Sequence, residues 1–286
     1  MLVKHENVQP TGAFKVRGGL ALAARLGPGT PALVTASTGN HAQSIAYAAR
    51  HLAIPCTVVM PTGAPANKVA ATEALGAQVV RHGATMTEAI VHSEELARDH
   101  GWRHVDPGGE PTILEGHATV TLELLQAHPE LEAIYVPVGS GTGAAGACLV
   151  RDGLRQDGDP AGCRIVGVQS AQAPAAYEAW RARAPRTAPC TTRASGLATA
   201  ASFAMTQAIL RDRLDDFILV DDDAIDAARR LLATHAHTLA EAAGAAALAG
   251  LLADPTRPAR CAVIVSGGNA DAGELATLTG PLTSSG

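Results

Sequence analysis

Lys15 sits between Phe14 and Val16 in the stretch Lys4–Gly19, KHENVQPTGAFKVRGG. Apolar neighbours favour partial burial, and burial lowers a lysine's pKa and frees its amine to act as nucleophile or base. A solvated surface lysine is the other reading of the same residues. A Thr11-Gly12 turn precedes it and Arg17-Gly18-Gly19 follows. Three more stretches join small polar residues to the ends of apolar runs. Ser37-Thr38-Gly39-Asn40-His41 follows ALVTA, Gly139-Ser140-Gly141-Thr142-Gly143 follows AIYVPV, and Ser266-Gly267-Gly268-Asn269 follows CAVIV. A glycine-rich turn opening a helix aims backbone N–H groups and the positive end of the helix dipole at an anion. The Gly139–Gly143 loop lacks the GxxxxGK pattern of a nucleotide P-loop and fits the dinucleotide fingerprint poorly. Each loop also has a plain reading: a tight strand-to-helix turn, an N-cap rich in Ser, Thr and Asn, or a strand ending in a turn. In the second reading His41 is a helix-start histidine satisfied locally.

The elements that must position these loops follow from the hydropathy pattern. Short β-branched runs predict strands over Ala32–Ala36, Cys56–Met60, Gln78–Arg81, Ala133–Val138, Arg164–Val168, Phe217–Val220 and Cys261–Val265. Longer Ala- and Leu-rich stretches predict helices over Phe14–Leu26, His41–His51, Ala64–Leu75, Met86–His100, Ile113–Ala127, Ala144–Leu154, Asp223–Thr234 and Glu241–Leu251. Strands that are apolar throughout are buried on both faces, and their alternation with helices implies βαβ units and a parallel α/β sheet. Ligands in such folds sit beyond the carboxyl ends of the strands, where these loops lie. Arg181–Ser195 is the most loop-like region, and the polar tail after Asn269 is expected to fray.

Composition removes several classes. The chain has 286 residues, 47% of them apolar, only 3% aromatic, and a net charge of −5. A large core built from Ala, Val, Leu and Ile fits these values; a nucleic-acid groove, which needs clustered Lys and Arg, does not. No apolar run reaches membrane-spanning length, and MLVKHENV lacks the core of a secretory signal. Five scattered cysteines without a CxxC pair read as reduced thiols in the cytoplasm.

Taken in order, KHENVQPTGAFKVRGG, STGNHAQ, VPVGSGTGAAG, EAAGAAALAGL and SGGN resemble the fold-type-II pyridoxal phosphate (PLP) enzymes, most closely the threonine/serine dehydratase group that includes serine racemase. The resemblance covers nearly the whole chain. It implies a two-lobed α/β fold like that of the tryptophan synthase β subunit, with mostly parallel sheets flanked by helices. The large lobe would comprise residues 1–30 and 108–286, and the small lobe residues 31–107 with the STGNH loop. Lys15 resembles the lysine that forms the Schiff base with PLP, backed by Phe14. Asn40 resembles the partner of the 3′-oxygen, and Ser266 that of the pyridine nitrogen. Gly139, Ser140, Gly141, Thr142 and Gly143 resemble the phosphate cradle, and Glu241 a glutamate near the cofactor. Ser37, Thr38, Gly39, Asn40 and His41 would hold the substrate carboxylate. The implied activity is α,β-elimination of L-threonine or L-serine to a 2-oxo acid and ammonia. The alternatives are an amino-acid racemase, a 3-hydroxyaspartate dehydratase, and a non-catalytic PLP-binding paralogue. The expected partners are a small amino-acid substrate and a second copy of the chain.

Departures from the family pattern shape these expectations. Thr38 stands where serine racemases carry a serine, and its methyl group and stiff χ1 favour dehydratase over racemase. His41 stands where cysteine synthases usually carry threonine, which points away from β-replacement. Gln169 and Ala175 occupy places where relatives that bind a divalent ion carry carboxylates, so no metal is expected there. The lysine motif lies close to Met1, so the large lobe is expected to be short at its N-terminus. The chain ends soon after SGGN, so no C-terminal regulatory domain is expected.

Overall fold

The structure is a computed structural model and describes residues 1–27, 29–156 and 162–279. Its strands, in chain order, are β1 (Leu2–His5), β2 (Leu33–Ala36), β3 (Cys56–Met60), β4 (Gln78–Arg81), β5 (Arg103–His104), β6 (Ala133–Pro137), β7 (Arg164–Ser170), β8 (Asp216–Val220) and β9 (Cys261–Val265). The helices are α1 (Lys15–Arg25), α2 (Asn40–Leu52), α3 (Ala66–Glu73), α4 (Met86–His100), α5 (Pro111–Ala127), α6 (Thr142–Gln156), α7 (Ala175–Ala182), α8 (Ala204–Arg213), α9 (Asp222–His235), α10 (Ala242–Ala253) and α11 (Ala272–Ala276). The strands form two sheets, ordered β1-β9-β6-β7-β8 and β4-β3-β2-β5. Among the described residues every pairing between these strands is parallel. This is the expected α/β architecture of mostly parallel sheets flanked by helices.

The sheets are covered because their strands cannot face water. Every residue of β2, β3 and β9 is buried. Helix α10 is apolar on all sides and buried from Ala242 to Leu251. Its alanines and glycines keep it thin enough to lie against β6, β7, β8 and β9 while α9 packs over it. Helices α1 and α5 also pack closely. A Cβ added at Gly116 would come within 2.4 Å of the Arg17 carbonyl, so a side chain there would push the two backbones apart. Among the described residues no helix is long and apolar enough to cross a membrane.

Several expectations needed correction. β5 has only two residues and no pattern to read; it exists because Arg103 and His104 pair with Leu33 and Val34. α7 and α8 are not among the expected helices; α8 packs on both α6 and α7, partners that no local pattern announces. α3 starts at Ala66, two residues later than expected, because the residue before Pro65 is sterically turned away from helix. The tail after Asn269 carries α11 rather than fraying at once, and its end, from residue 280, lies outside the described residues.

Candidate active site

The segment that delivers Lys15 is stitched to the end of β9. The Glu6 N–H donates to the Val265 carbonyl at 3.0 Å, Ala13 bridges Gly267, and the Phe14 N–H donates to the Ser266 carbonyl at 2.9 Å. α1 therefore starts beside the SGGN turn, although the two lie near opposite ends of the sequence. The loops after β2 and β6 open towards the same place. Together they line a cavity of about 420 Å³ that includes every site residue singled out above, from Phe14 and Lys15 through Ser37–His41 and Gly139–Gly143 to Glu241 and Ser266.

Lys15 is half-buried and lines this cavity. Its Nζ lies 3.4 Å from Thr142 Oγ1 and 5.1 Å from the centre of the Phe14 ring. Desolvation brings its ammonium down from the ordinary 10.5 to about 8. Thr142 opens α6, so the N–H groups of that first turn have no partner within the helix. The loop before it is braced from behind, where Thr206 Oγ1 donates to the Ser140 carbonyl at 2.7 Å. Gly141 has φ +87°, a conformation side chains rarely adopt, and a Cβ there would meet Thr206 at 3.0 Å.

The loop after β2 leaves a second set of donors open. Gly39 is the N-cap of α2, and no side chain caps the helix. Ser37 Oγ turns instead to accept the Gly39 N–H at 3.2 Å. The ordinary N-cap reading of Ser37–His41 therefore does not describe this turn. Asn40 Nδ2 donates to Glu241 Oε1 at 2.6 Å. Burial raises the Glu241 carboxyl from 4.5 to about 7, against the pull of the Asn40 hydrogen bond and the Lys68 charge.

His41 is only half satisfied. Thr35 Oγ1 spends its one proton on the Val105 carbonyl at 2.7 Å, so the neighbouring His41 Nε2, 3.1 Å away, carries a proton. Among the described residues Nδ1 is then a buried acceptor without a partner. Burial and the Lys15 charge lower this imidazole to about 3 and keep it neutral. Ser266 is buried, and among the described residues its hydroxyl has only a long 3.5 Å contact with the Ala243 carbonyl.

Sequence reasoning missed His117. It is buried inside α5, its ring lies 4.6 Å from that of Phe14, and Nδ1 is 3.0 Å from Thr142 Oγ1. It thus supports the hydroxyl that faces Lys15. A single histidine within an apolar helix carries no spacing signal; only the fold brings it to residue 142. Lys68 was missed as well, and it reaches the same cavity from α3. At the place considered for a divalent ion, Gln169 Oε1 accepts the Tyr177 N–H at 3.0 Å. Among the described residues no group of three or more His, Cys, Asp or Glu could hold a metal.

Comparison with known proteins gives this cavity its class. A family described as "Pyridoxal-phosphate dependent enzyme" matches residues 1–267, and the chain belongs to it. The L-threonine ammonia-lyase of Geobacter sulfurreducens is 36% identical over 279 residues, covering 94% of this chain and 67% of that protein. The L-threo-3-hydroxyaspartate ammonia-lyase of Saccharomyces cerevisiae is 32% identical, covering 96% and 84%. The solved structure of the processed form of threonine deaminase isoform 2 from Solanum lycopersicum matches with a TM-score of 0.90 at 30% identity, covering 97% of this chain and 81% of that one. Relatives of this kind are spanned over 48% to 86% of their length.

The residues present fit pyridoxal phosphate. A half-buried amine of lowered pKa faces a helix start with open N–H groups, and Gly141 leaves out the side chain that would crowd that turn. The weakly engaged Ser266 hydroxyl and the unpartnered His41 Nδ1 are polar atoms without a strong partner in the protein.

Proposed function

We propose that this chain is a PLP-dependent ammonia-lyase that converts L-threonine or L-serine to the 2-oxo acid and ammonia by α,β-elimination. The observation that carries the reading is the placement of the half-buried Lys15 amine 3.4 Å from Thr142, at the open start of α6. The names of the Geobacter and tomato relatives support the substrate class.

In this reading Lys15 Nζ binds the cofactor, Phe14 backs it, and Gly139–Gly143 cradle the phosphate through backbone N–H groups, helped by the Ser140 and Thr142 hydroxyls. Asn40 Nδ2 donates to the ring oxygen and Ser266 meets the ring nitrogen, with Glu241 holding Asn40. When bound, PLP supplies the sink for the electron pair left on Cα. The uncapped start of α2, Ser37–His41, holds the substrate carboxylate. Lys15 Nζ, once displaced by the substrate amine, would take the Cα proton. The β-hydroxyl would leave as water carrying that proton, and one water would return when the nitrogen is released as ammonia. Burial disfavours charge on His41, which makes it a hydrogen-bonding group rather than an acid.

The same reading divides the chain into a large lobe, 1–30 with 108–286, and a small lobe, 31–107. It also makes the protein a cytoplasmic homodimer. Five free cysteines, four of them buried, support a reducing compartment, and sedimentation equilibrium tests the dimer.

The test is 2-oxo acid release by the PLP-loaded protein from L-threonine, L-serine and 3-hydroxyaspartate, beside its visible spectrum. Turnover of threonine or serine is expected. Turnover of 3-hydroxyaspartate alone would transfer the reading to that substrate, and a loaded protein that turns over none of the three would overturn the lyase. The lowered Lys15 pKa gives a second expectation. Only the unprotonated amine attacks, so cofactor uptake by the stripped protein should accelerate about tenfold per pH unit below pH 8 and level off above it. An ordinary lysine would keep accelerating towards its usual 10.5. Stopped-flow absorbance distinguishes the two profiles.

A further inference from the structure

Asn269 closes the SGGN turn after β9, and its side chain has no donor to spare. Nδ2 donates to the Thr11 carbonyl at 2.8 Å and to Asn40 Oδ1 at 2.8 Å. A carboxamide nitrogen has two hydrogens and cannot accept. The second bond therefore decides which end of the Asn40 amide is oxygen. Oδ1 must face Asn269, which turns Nδ2 to Glu241 Oε1 at 2.6 Å. Rotating the Asn40 amide would set N–H against N–H at one end and oxygen against oxygen at the other.

Two glycines shape the space for this arrangement. A Cβ at Gly12, where φ is +67°, would fall 2.4 Å from Asn269 Oδ1, and a Cβ at Gly267 would fall 2.2 Å from Glu241 Oε1. The Asn269 main chain holds a further tie, because its carbonyl accepts from Lys68 Nζ at 2.9 Å. Asn40 and Lys68 belong to the helices packed with the four-stranded sheet. Asn269, Glu241 and Thr11 belong to the loops around the five-stranded sheet.

We propose that Asn269 is a positioning residue. It locks the Asn40 amide with nitrogen towards the cavity, so that the second N–H of Nδ2 is presented to the anionic ring oxygen of the cofactor, and it clasps the two sheet units together at that point. The inference rests on the role given to Asn40 above.

The test is Asn269→Asp, which keeps size and shape but replaces the donating nitrogen with oxygen. The introduced carboxylate repels Asn40 Oδ1 and favours the rotated amide, whose oxygen then faces the cavity. Apo protein titrated with PLP should show a dissociation constant raised about tenfold or more, with a displaced visible absorption maximum and unchanged far-UV circular dichroism. The double variant N269D/E241Q lets a rotated Asn40 donate to the new carboxylate on one side and accept from the new carboxamide on the other. Thermal stability should therefore recover towards wild type while the absorption maximum stays displaced. A purely structural role would restore both together. Should N269D fail to fold, the double variant and Asn269→Ala carry the same spectral and binding readouts. Folded variants that bind PLP with wild-type affinity and an unmoved absorption maximum would overturn the inference. Wild-type protein that itself binds no PLP would overturn the functional reading instead.

Discussion

Lys15→Ala should lower 2-oxo acid release from L-threonine by at least about 10³-fold and erase the visible absorption band of the PLP-treated protein. A positioned general base alone contributes roughly 10²- to 10⁴-fold, and this lysine also provides the covalent attachment. The other amine of the cavity, Lys68, is held by the Asn269 carbonyl at 2.9 Å, and His41 and His117, imidazoles that burial keeps neutral, cannot form the covalent attachment. The fold should not suffer. Lys15 Nζ makes one long hydrogen bond, to Thr142, and the lowered pKa means that the fold disfavours its charge. The melting temperature of the variant without cofactor should therefore equal or exceed that of the wild type. Lys15→Arg keeps a cation but offers no free amine, so it should be equally inactive. Retention of the band or of turnover in a folded Lys15→Ala protein would remove Lys15 from the mechanism.

How much of this could be read beforehand depended on how local each cause is. β3, β4 and β9 and helix α4 have the bounds expected from sequence. Their signals are short-range: apolar runs broken by Pro or Gly, and for α4 a capping box between Thr85 and Glu88 with Gly101 in the left-handed conformation at the end. β5 and α8 have no such local cause, and they exist through partners distant in the chain. The site follows the same division. Small polar loops after buried strands were visible as loops, and they do converge on one cavity. The bonds between them were not visible. His117 meets Thr142 from 25 residues away, and Asn269 meets Asn40 from 229. The pattern of types marks where a polar group stands, but its partner depends on how two sheets are set against each other. His41 illustrates the limit. Its plain reading is a locally satisfied helix-start histidine, yet among the described residues one ring nitrogen is bonded and the other has no partner.

The largest effect on stability is expected at Arg17, two residues beyond the lysine. Glu6 is fully buried, and the Arg17 guanidinium binds it with two parallel bonds, Nε to Oε2 at 2.7 Å and Nη2 to Oε1 at 2.8 Å. The far side of the same fork reaches Glu123 at 2.6 and 2.9 Å and Thr119 at 3.0 Å. This bidentate geometry needs a planar guanidinium. Arg17→Met would leave the Glu6 carboxylate buried with only Gln9 and the more distant Lys4 for partners. Breaking a buried pair from one side costs about 3–5 kcal/mol, whereas an exposed pair contributes about 0–1 kcal/mol. Glu123 is half-exposed, so Glu123→Gln should cost far less than Arg17→Met. Arg17→Lys should fall between them, since it keeps one charge and loses the fork. Restoring neutrality tests the cause directly. Glu6→Gln added to Arg17→Met should recover part of the loss, because the uncompensated charge is gone. The pH dependence has a definite sign. Arg17 and Lys4 hold the Glu123 carboxyl down at about 2, so its contribution is present above the ordinary 4.5 and disappears as the pH falls through 2. Urea unfolding midpoints compare all these variants with the wild type. Equal midpoints for wild type and Arg17→Met would mean that the buried carboxylate is relieved elsewhere. A large loss would show that the turn of helix carrying Lys15 is anchored by an ion pair on its opposite side, so that one short segment both presents the amine and holds it still.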